Sequence, residues 1–337
     1  MLFRIGVIGC GYWGKNYLRV FDQLPGSRVV AFAELDSDRR AELAAASPRL
    51  AGYRDYRELL AGEECDAVVV ATEATKHHEI IKAALEAGLH VLAEKPITTA
   101  MEQAEELVDL AHARNLKLLV GHTFLYNVAI HRMKEMLLAG EAGDIYYMHA
   151  TRTHLGPIRA DVNAIWDLAA HDVAIFNYLN DAAPVRVVAT GAAYLQAERM
   201  DVAFLTLTYP GGRLGSIHVS WIDTNKVRTV AVVGSEARLL FDDLNNLEKI
   251  RIFRKGISVQ RRVADFGEFQ YLLRDGDIIS PKLCLREPLR VQCEDFIASI
   301  SGGTEPLSNG RTGLDVVRVL AAADLSLARG GEPVDIS

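Results

Sequence analysis

The rhythm of apolar and polar positions changes near residue 121. Before it, short apolar runs at 3–8, 29–33, 67–71, 90–93 and 116–120 are separated by amphipathic stretches of helix length. Runs that do not alternate suit strands covered on both faces, and their alternation with helices predicts a doubly wound parallel sheet. Tyr17, Leu18, Phe21 and Leu24 recur at helical spacing and stop at Pro25-Gly26, and a second helix over about 77–87 stops at Gly88. Thr99-Ala-Met-Glu102 has the form of a capping box opening a helix to about Arg114.

Past Gly121 the pattern predicts a helix near 128–139, a strand near 145–153 and a helix over about 165–179. Three hairpins follow: 203–209 with 213–221 around Tyr209-Pro-Gly-Gly212, 227–233 with 237–241 around Gly234-Ser-Glu, and 249–253 with 257–262 around Lys255-Gly256. Helices over Val291–Ile300 and Gly313–Ala328 close the chain. The second half therefore reads as α+β with a large open, mostly antiparallel sheet. The expected division is a dinucleotide-binding Rossmann domain over 1–121 and a substrate and oligomerisation domain over 122–337, with the last helices free to pack back on the first.

A chain of 337 residues, half of them apolar, exceeds a single core and fills two. No apolar stretch approaches the roughly 20 residues of a membrane helix. The first strand begins almost at Met1, leaving no room for a signal peptide, so the cytoplasm is the expected location. Cys10, Cys65, Cys284 and Cys293 have neither metal nor disulfide spacing, which suits reduced thiols. A net charge of −7 without a basic stripe argues against nucleic acid as a partner. An anionic small molecule would need a few local cations.

Candidate chemistry begins at Gly9-Cys10-Gly11-Tyr12-Trp13-Gly14, which leaves a strand and opens a helix. Gly9 permits the tight turn, Gly11 the approach of a pyrophosphate and Gly14 close packing of the helix, whose N-terminus faces the phosphates. Tyr12 and Trp13 fall on the cofactor side of that turn. Glu34 ends the second strand twenty residues past Gly14, where an acid meets the adenosine ribose. This favours NAD over NADP, although Arg39 and Arg40 nearby keep a second phosphate in play. Glu94-Lys95-Pro96 ends another strand at its carboxyl edge, the ligand side of such sheets. There Lys95 can exchange a hydrogen bond with a substrate hydroxyl, and a cis Pro96 would aim it. In Trp166-Asp167-Leu-Ala-Ala-His171-Asp172 the spacing puts Asp167 and His171 on one helical face, a general base or acid with a carboxylate beside it. A metal held by Asp167, His171 and His122 lacks a ligand motif, and none is expected.

GCGYWGKN, VVVATEATKHHEIIKAALEAGLHVLAEKP, VGHTFLYN and WDLAAHD together resemble the Gfo/Idh/MocA family of NAD(P)-dependent sugar oxidoreductases over nearly the whole chain. The resemblance implies a Rossmann domain, an α/β domain whose open sheet commonly joins subunits into a dimer or tetramer, and a catalytic set falling on Lys95, Asp167 and His171. It places Thr72 and His77 on the cofactor side, with Glu73 where proline is usual. His122 and Asn127 match the crossover segment, with Val128 replacing another proline. Several segments are similar to the branch acting on nucleotide-linked sugars, including UDP-N-acetylglucosamine and UDP-N-acetylglucosaminuronate 3-dehydrogenases. That implies oxidation at C3 to a 3-keto sugar. Arg152 and Arg159, flanking Gly156-Pro157, then either grip the diphosphate or are solvated loop residues, and Asn163 would touch the sugar. A 3-ketoreductase, a free-sugar or inositol dehydrogenase, and a non-catalytic sensor of NAD or sugar are the alternatives.

Overall fold

The computed structural model describes residues 2–62, 64–197, 199–261 and 269–336. The first half contains β1 (Phe3–Ile8), α1 (Tyr12–Gln23), β2 (Ser27–Ala33), α2 (Ser37–Ala46), β3 (Ala51–Tyr53), α3 (Tyr56–Gly62), β4 (Ala67–Val70), α4 (Ala74–Glu86), β5 (His90–Ala93), α5 (Met101–Ala113) and β6 (Leu118–Val120). These strands form one parallel sheet in the order β3-β2-β1-β4-β5-β6. The order reverses between β1 and β4, and ligands of such sheets lie at the carboxyl edge beside that reversal. Ile5, Val7, Val68, Val69, Val91 and Leu92 are wholly buried, as helices on both faces require. Each such side chain contributes about 1.5–3 kcal/mol through burial.

The edge strand β3 was not expected. Its sequence, Ala-Gly-Tyr, is three residues long and has no β-branched side chain. The capping box is a correction: Ala100, not Thr99, is the N-cap of α5, and no side chain caps that helix. Thr98 instead donates to the Ala100 carbonyl at 2.7 Å, so the hydroxyl satisfies an acceptor ahead of the helix. α4 begins three residues before its expected start, and Asp161 accepts from the Ala74 N–H at 3.2 Å. It ends as expected before Gly88, whose φ of +80° suits glycine.

The second half contains α6 (Val128–Leu138), β7 (Ile145–Leu155), a π-helical turn at Ile165–Ala169, α7 (Ala170–Asn180), β8 (Arg186–Ala192), β9 (Val202–Thr208), β10 (Leu214–Ser220), β11 (Ile222–Gly234), β12 (Arg238–Asp242), β13 (Ile250–Phe253), β14 (Gly256–Arg261), β15 (Phe269–Arg274) and β16 (Ile278–Ile279). α8 (Pro288–Gly302), α9 (Gly310–Ala328) and β17 (Val334–Asp335) follow. Among the described residues a nine-stranded sheet runs β16-β13-β12-β11-β7-β10-β9-β8-β17, antiparallel except where β10 lies parallel to β7. The first two expected hairpins form, pairing Leu214 with Thr208 and Val233 with Arg238. The third does not: β13 pairs with β12 and β16, while β14 pairs with β15 in a separate ribbon. Residue 262, which would have ended that hairpin, lies outside the described residues. Local turn chemistry identified a break in the chain there, but each strand pairs with its neighbour on the other side in sequence, β13 with β12 and β14 with β15.

The chain divides into two compact units, Met1–Asn127 with Ala160–Val162 and Arg286–Ala321, and Val128–Arg159 with Asn163–Leu285 and Ala322–Ser337. No helix among the described residues is long and apolar enough to cross a membrane.

Candidate active site

In the first unit, Gly9 adopts φ +83° at the end of β1, and a Cβ there would lie 2.7 Å from the Ala71 carbonyl oxygen. A Cβ on Gly14 would come within 2.0 Å of the Gly9 oxygen, so these two glycines are imposed by the protein's own backbone. Gly11 differs. A Cβ there would meet nothing within 4 Å, so the protein's own packing does not demand glycine at this position. Gly11 is also the N-cap of α1 and no side chain caps the helix, which suits an anion at that end. Tyr12 and Trp13 follow, both exposed, with their rings edge-to-face at 5.4 Å.

Glu34 is buried at the carboxyl end of β2. Its carboxylate accepts from the Cys10 and Asp36 N–H groups, each at 2.9 Å, and meets Arg39 at 3.3 Å. Arg40 donates to the Glu34 carbonyl at 2.7 Å. The acid expected against the ribose is thus tied to the glycine loop itself. Burial and the Glu34 charge push the Cys10 thiol up to about 12, so Cys10 fills space as a small residue.

The Lys95–Pro96 peptide is cis. Lys95 and Glu94 are both buried at the carboxyl end of β5. The Tyr17 hydroxyl donates to Glu94 Oε1 at 2.8 Å, the Lys95 N–H donates to Oε2 at 3.2 Å, and Gln292 Nε2 donates to the Tyr17 oxygen at 3.0 Å. Thr123 donates to Gln292 Oε1 at 2.8 Å. This network joins α1, the lysine turn and α8, and burial with the Glu94 charge holds the Tyr17 phenol far above its usual range. Sequence reasoning missed Gln292 and treated Tyr17 only as a helix position. The available signal was an amide among Leu289, Cys293 and Phe296 on the buried face of α8.

His77 is 1% exposed, with Nδ1 2.8 Å from the Pro96 oxygen and Nε2 3.2 Å from that of Thr72. It ties the loop after β4 to the lysine turn, and the Thr72 hydroxyl rests on the Glu73 carbonyl at 3.5 Å. His122 is the contrast. It is equally buried, yet among the described residues neither ring nitrogen has a hydrogen-bond partner. Burial, and then the charge of Lys95, lower its pKa to about 3, so the ring is neutral at ordinary pH. Asn127, also buried, follows the short 3₁₀ turn Thr123–Tyr126, and its N–H donates to the Phe124 carbonyl.

In the second unit, the helix expected over 165–179 opens with the π turn. Asn163 Oδ1 accepts from the Ile165 and Trp166 N–H groups at 3.0 and 3.1 Å, and Asn163 Nδ2 donates to Asp324 at 3.0 Å. Trp166 Nε1 donates to the other Asp324 oxygen at 2.6 Å. Asn163 and Trp166 therefore hold this turn in place, and Asn163's expected sugar contact competes with three hydrogen bonds. Asp324, which sequence reasoning missed, is raised in pKa by burial, partly offset by these donors. Asp167 lies in the π turn and His171 in the first turn of α7, so the π-to-α junction sets their relation rather than regular helical spacing. Asp167 Oδ1 is 3.4 Å from Arg159 Nη1, and Oδ2 accepts from Trp221 Nε1 at 3.1 Å. Arg152 donates from Nε and Nη2 to both oxygens of Asp172 at 3.0 and 2.8 Å, with both residues buried. A diphosphate would have to displace that carboxylate to reach Arg152. Among the described residues no cluster suits a metal ion.

Residues 3–122 match the oxidoreductase family with an NAD-binding Rossmann fold, GFO_IDH_MocA, and residues 130–240 match the GFO/IDH/MocA C-terminal domain. UDP-N-acetylglucosamine 3-dehydrogenase of Acidithiobacillus ferrooxidans is 28% identical over 320 residues, 95% of each chain. Its solved structure superposes with a TM-score of 0.81 over 98% of this chain and 99% of that one. Inositol 2-dehydrogenase 2 of Saccharopolyspora erythraea is 30% identical over 65% of this chain and 67% of its own length. The WlbA dehydrogenase from Bordetella pertussis, solved with NADH and UDP-GlcNAcA, is 21% identical and shares the fold with a TM-score of 0.81 over 100% of this chain and 99% of that one.

Proposed function

The chain belongs to the Gfo/Idh/MocA family of NAD-dependent sugar oxidoreductases, and from that membership we propose that it oxidises the C3 hydroxyl of UDP-N-acetylglucosamine or its uronic acid to a 3-keto sugar. One observation carries this choice: the 28% identity to a UDP-N-acetylglucosamine 3-dehydrogenase runs over 95% of both chains. Bound NAD supplies the hydride acceptor. Gly9, Gly11, Gly14 and the N-terminus of α1 hold its pyrophosphate, Tyr12 and Trp13 flank it, and Glu34 addresses the ribose. The segment from Thr72 to His77 and the turn Glu94-Lys95-Pro96 line its other end.

His171 takes the proton of the reacting hydroxyl, Lys95 hydrogen-bonds the same oxygen and Asp167 orients the imidazole or the sugar. Loss of that proton raises electron density on the oxygen and weakens the carbon–hydrogen bond that must break. His122 and Asn127 contact the sugar, and Arg159, the more exposed member of its ion pair, reaches the diphosphate. Purified protein with NAD and UDP-N-acetylglucosamine, its uronic acid or myo-inositol, followed by NADH absorbance, tests the proposal. NADH forms with a UDP-sugar if the reading is right, and no signal with either UDP-sugar defeats it. The inositol arm tests the second reading, a free-polyol dehydrogenase, which the 30% identity to inositol 2-dehydrogenase 2 favours.

Self-association through the nine-stranded sheet forms part of the same proposal. Tyr147, Leu214 and Phe204 are exposed on one face of β7, β10 and β9, where Phe204 stacks on His218 at 4.4 Å. Light scattering should give a dimer or tetramer, and Phe204→Glu should lower the mass.

A further inference from the structure

Two indoles in the second unit hold two carboxylates. Trp166 donates to Asp324, where Asn163 also binds, and that group braces the π turn from inside. Trp221, at the junction of β10 and β11, is 0% exposed and donates its one side-chain hydrogen to Asp167 Oδ2 at 3.1 Å. Its backbone is fixed as well, because the Trp221 N–H donates to the Asp201 carbonyl at 2.9 Å. An indole is rigid, and a buried one with its N–H aimed at a carboxylate restricts how that carboxylate can rotate.

We propose that Trp221 is a positioning residue for Asp167, fixing the orientation of its carboxylate and favouring the ionised form. This rests on the reading of Asp167 as part of the catalytic set. The Oδ1 contact to Arg159 is longer at 3.4 Å, and that guanidinium is partly exposed, so the indole bond to Oδ2 is the tighter of these two contacts. The charged or titratable groups of this unit near Asp167 include Arg159 from the loop after β7 and His154 from β7. Burial and Arg228 lower the pKa of His154, while Asp167 raises it. Removing the indole donor makes Asp167 easier to protonate, because a hydrogen bond to the charged form favours that form.

The test uses the full chain labelled with ¹⁵N-tryptophan, which has three indoles, Trp13, Trp166 and Trp221. Trp221→Phe assigns the Trp221 resonance, and unshifted Trp13 and Trp166 signals report that the variant is folded. In wild type the Trp221 indole resonance should move with pH as a carboxylate titrates, and Asp167→Asn should abolish that movement while Trp166 is unaffected. A Trp221 resonance indifferent to Asp167→Asn overturns the contact. In turnover of UDP-N-acetylglucosamine, Trp221→Phe should lower kcat about tenfold, leave the KM for NAD unchanged and move the acid limb of the rate profile to higher pH. A purely structural tryptophan would lower the melting temperature and leave that limb in place, which overturns the proposal. If Trp221→Phe fails to fold, Asp167→Glu displaces the carboxylate under an intact indole and should shift the same limb; an unmoved limb again counts against the positioning role. Full activity in Asp167→Asn, with the indole titration seen in wild type and lost in that variant, would defeat the reading of the site while leaving the contact standing.

Discussion

Two arginine–aspartate pairs lie on one stretch of the second unit and have different fates. Arg152 and Asp172 form a two-pronged pair with side chains 4% and 1% exposed. Arg159 and Asp167 meet at 3.4 Å between Nη1 and Oδ1, with side chains 27% and 16% exposed. The residue types are the same and the two aspartates are five positions apart. Their surroundings are not. A sealed, doubly bonded pair is costly to break and has little left to offer a ligand, whereas a part-open pair with a long contact can exchange partners. The first unit repeats the contrast with histidines, His77 held between two carbonyls and His122, among the described residues, with neither nitrogen paired.

The largest expected effect breaks the sealed pair. Asp172→Ala leaves the Arg152 guanidinium buried without its carboxylate and should cost about 3–5 kcal/mol of unfolding free energy. Urea denaturation measures it, and a loss under about 1 kcal/mol would mean that Arg152 finds other partners and the pair is not sealed. Asp167→Asn, five residues earlier, should do the reverse. Turnover of a UDP-sugar should fall on the order of a hundredfold or more, as for loss of a group acting in proton transfer, while the urea midpoint shifts little. If both variants lose stability alike, burial does not separate the two aspartates and the assignment of Asp167 to chemistry fails.

How far this contrast was legible in the sequence differs between the units. Parallel strands buried on both faces leave continuous apolar runs, and glycine-loop chemistry leaves fixed spacings, so β1, β2, β4, β5 and β6 and the loop Gly9–Gly14 could be read directly. β3, β16 and β17 escaped because strands of two or three residues leave no apolar run to read, and β8 and β15 escaped although they pair with β9 and β14, their neighbours in sequence, because no tight turn signal directly joins those strands. Lys95, Asp167 and His171 could be proposed for chemistry from spacing and family resemblance, but Arg152 and Arg159 were read alike because nothing local distinguishes them. Only β7 threading through the middle of the large sheet buries Arg152 against α7. Trp221, Asp324 and Gln292 were missed for a related reason: each meets its partner through packing of segments far apart in the chain.

The histidine pair yields a smaller effect with a defined sign. The pKa of His122 is lowered to about 3 in the folded protein from 6.5, so between those values the unfolded chain binds a proton that the folded one does not. Stability therefore falls as pH drops through that window, by up to about 1.4 kcal/mol per pH unit from this group. His122→Phe should remove that contribution, making the variant relatively more stable at pH 4 than at pH 7 when each is compared with wild type by urea denaturation. An unchanged difference would mean that His122 finds a partner or a proton in the folded state. His77→Phe should instead destabilise at both pH values, because it removes the ring N–H that a backbone carbonyl accepts from.

The smallest effect concerns the open pair itself. If Arg159 reaches a diphosphate, Arg159→Ala should raise KM for UDP-N-acetylglucosamine about tenfold, the worth of one charge-assisted hydrogen bond. It should leave kcat within about twofold, since uniform binding rather than transition-state binding is lost. Stability should hardly move, because a part-exposed pair with a long contact contributes little. The discriminating control is a sugar without phosphate. If the N-acetylglucosamine monosaccharide is also turned over and its KM rises equally, Arg159 acts by holding Asp167 and not by gripping phosphate. In that case kcat should fall with it and the acid limb should shift as in Trp221→Phe, making Arg159 and Trp221 two sides of one clamp on the same carboxylate.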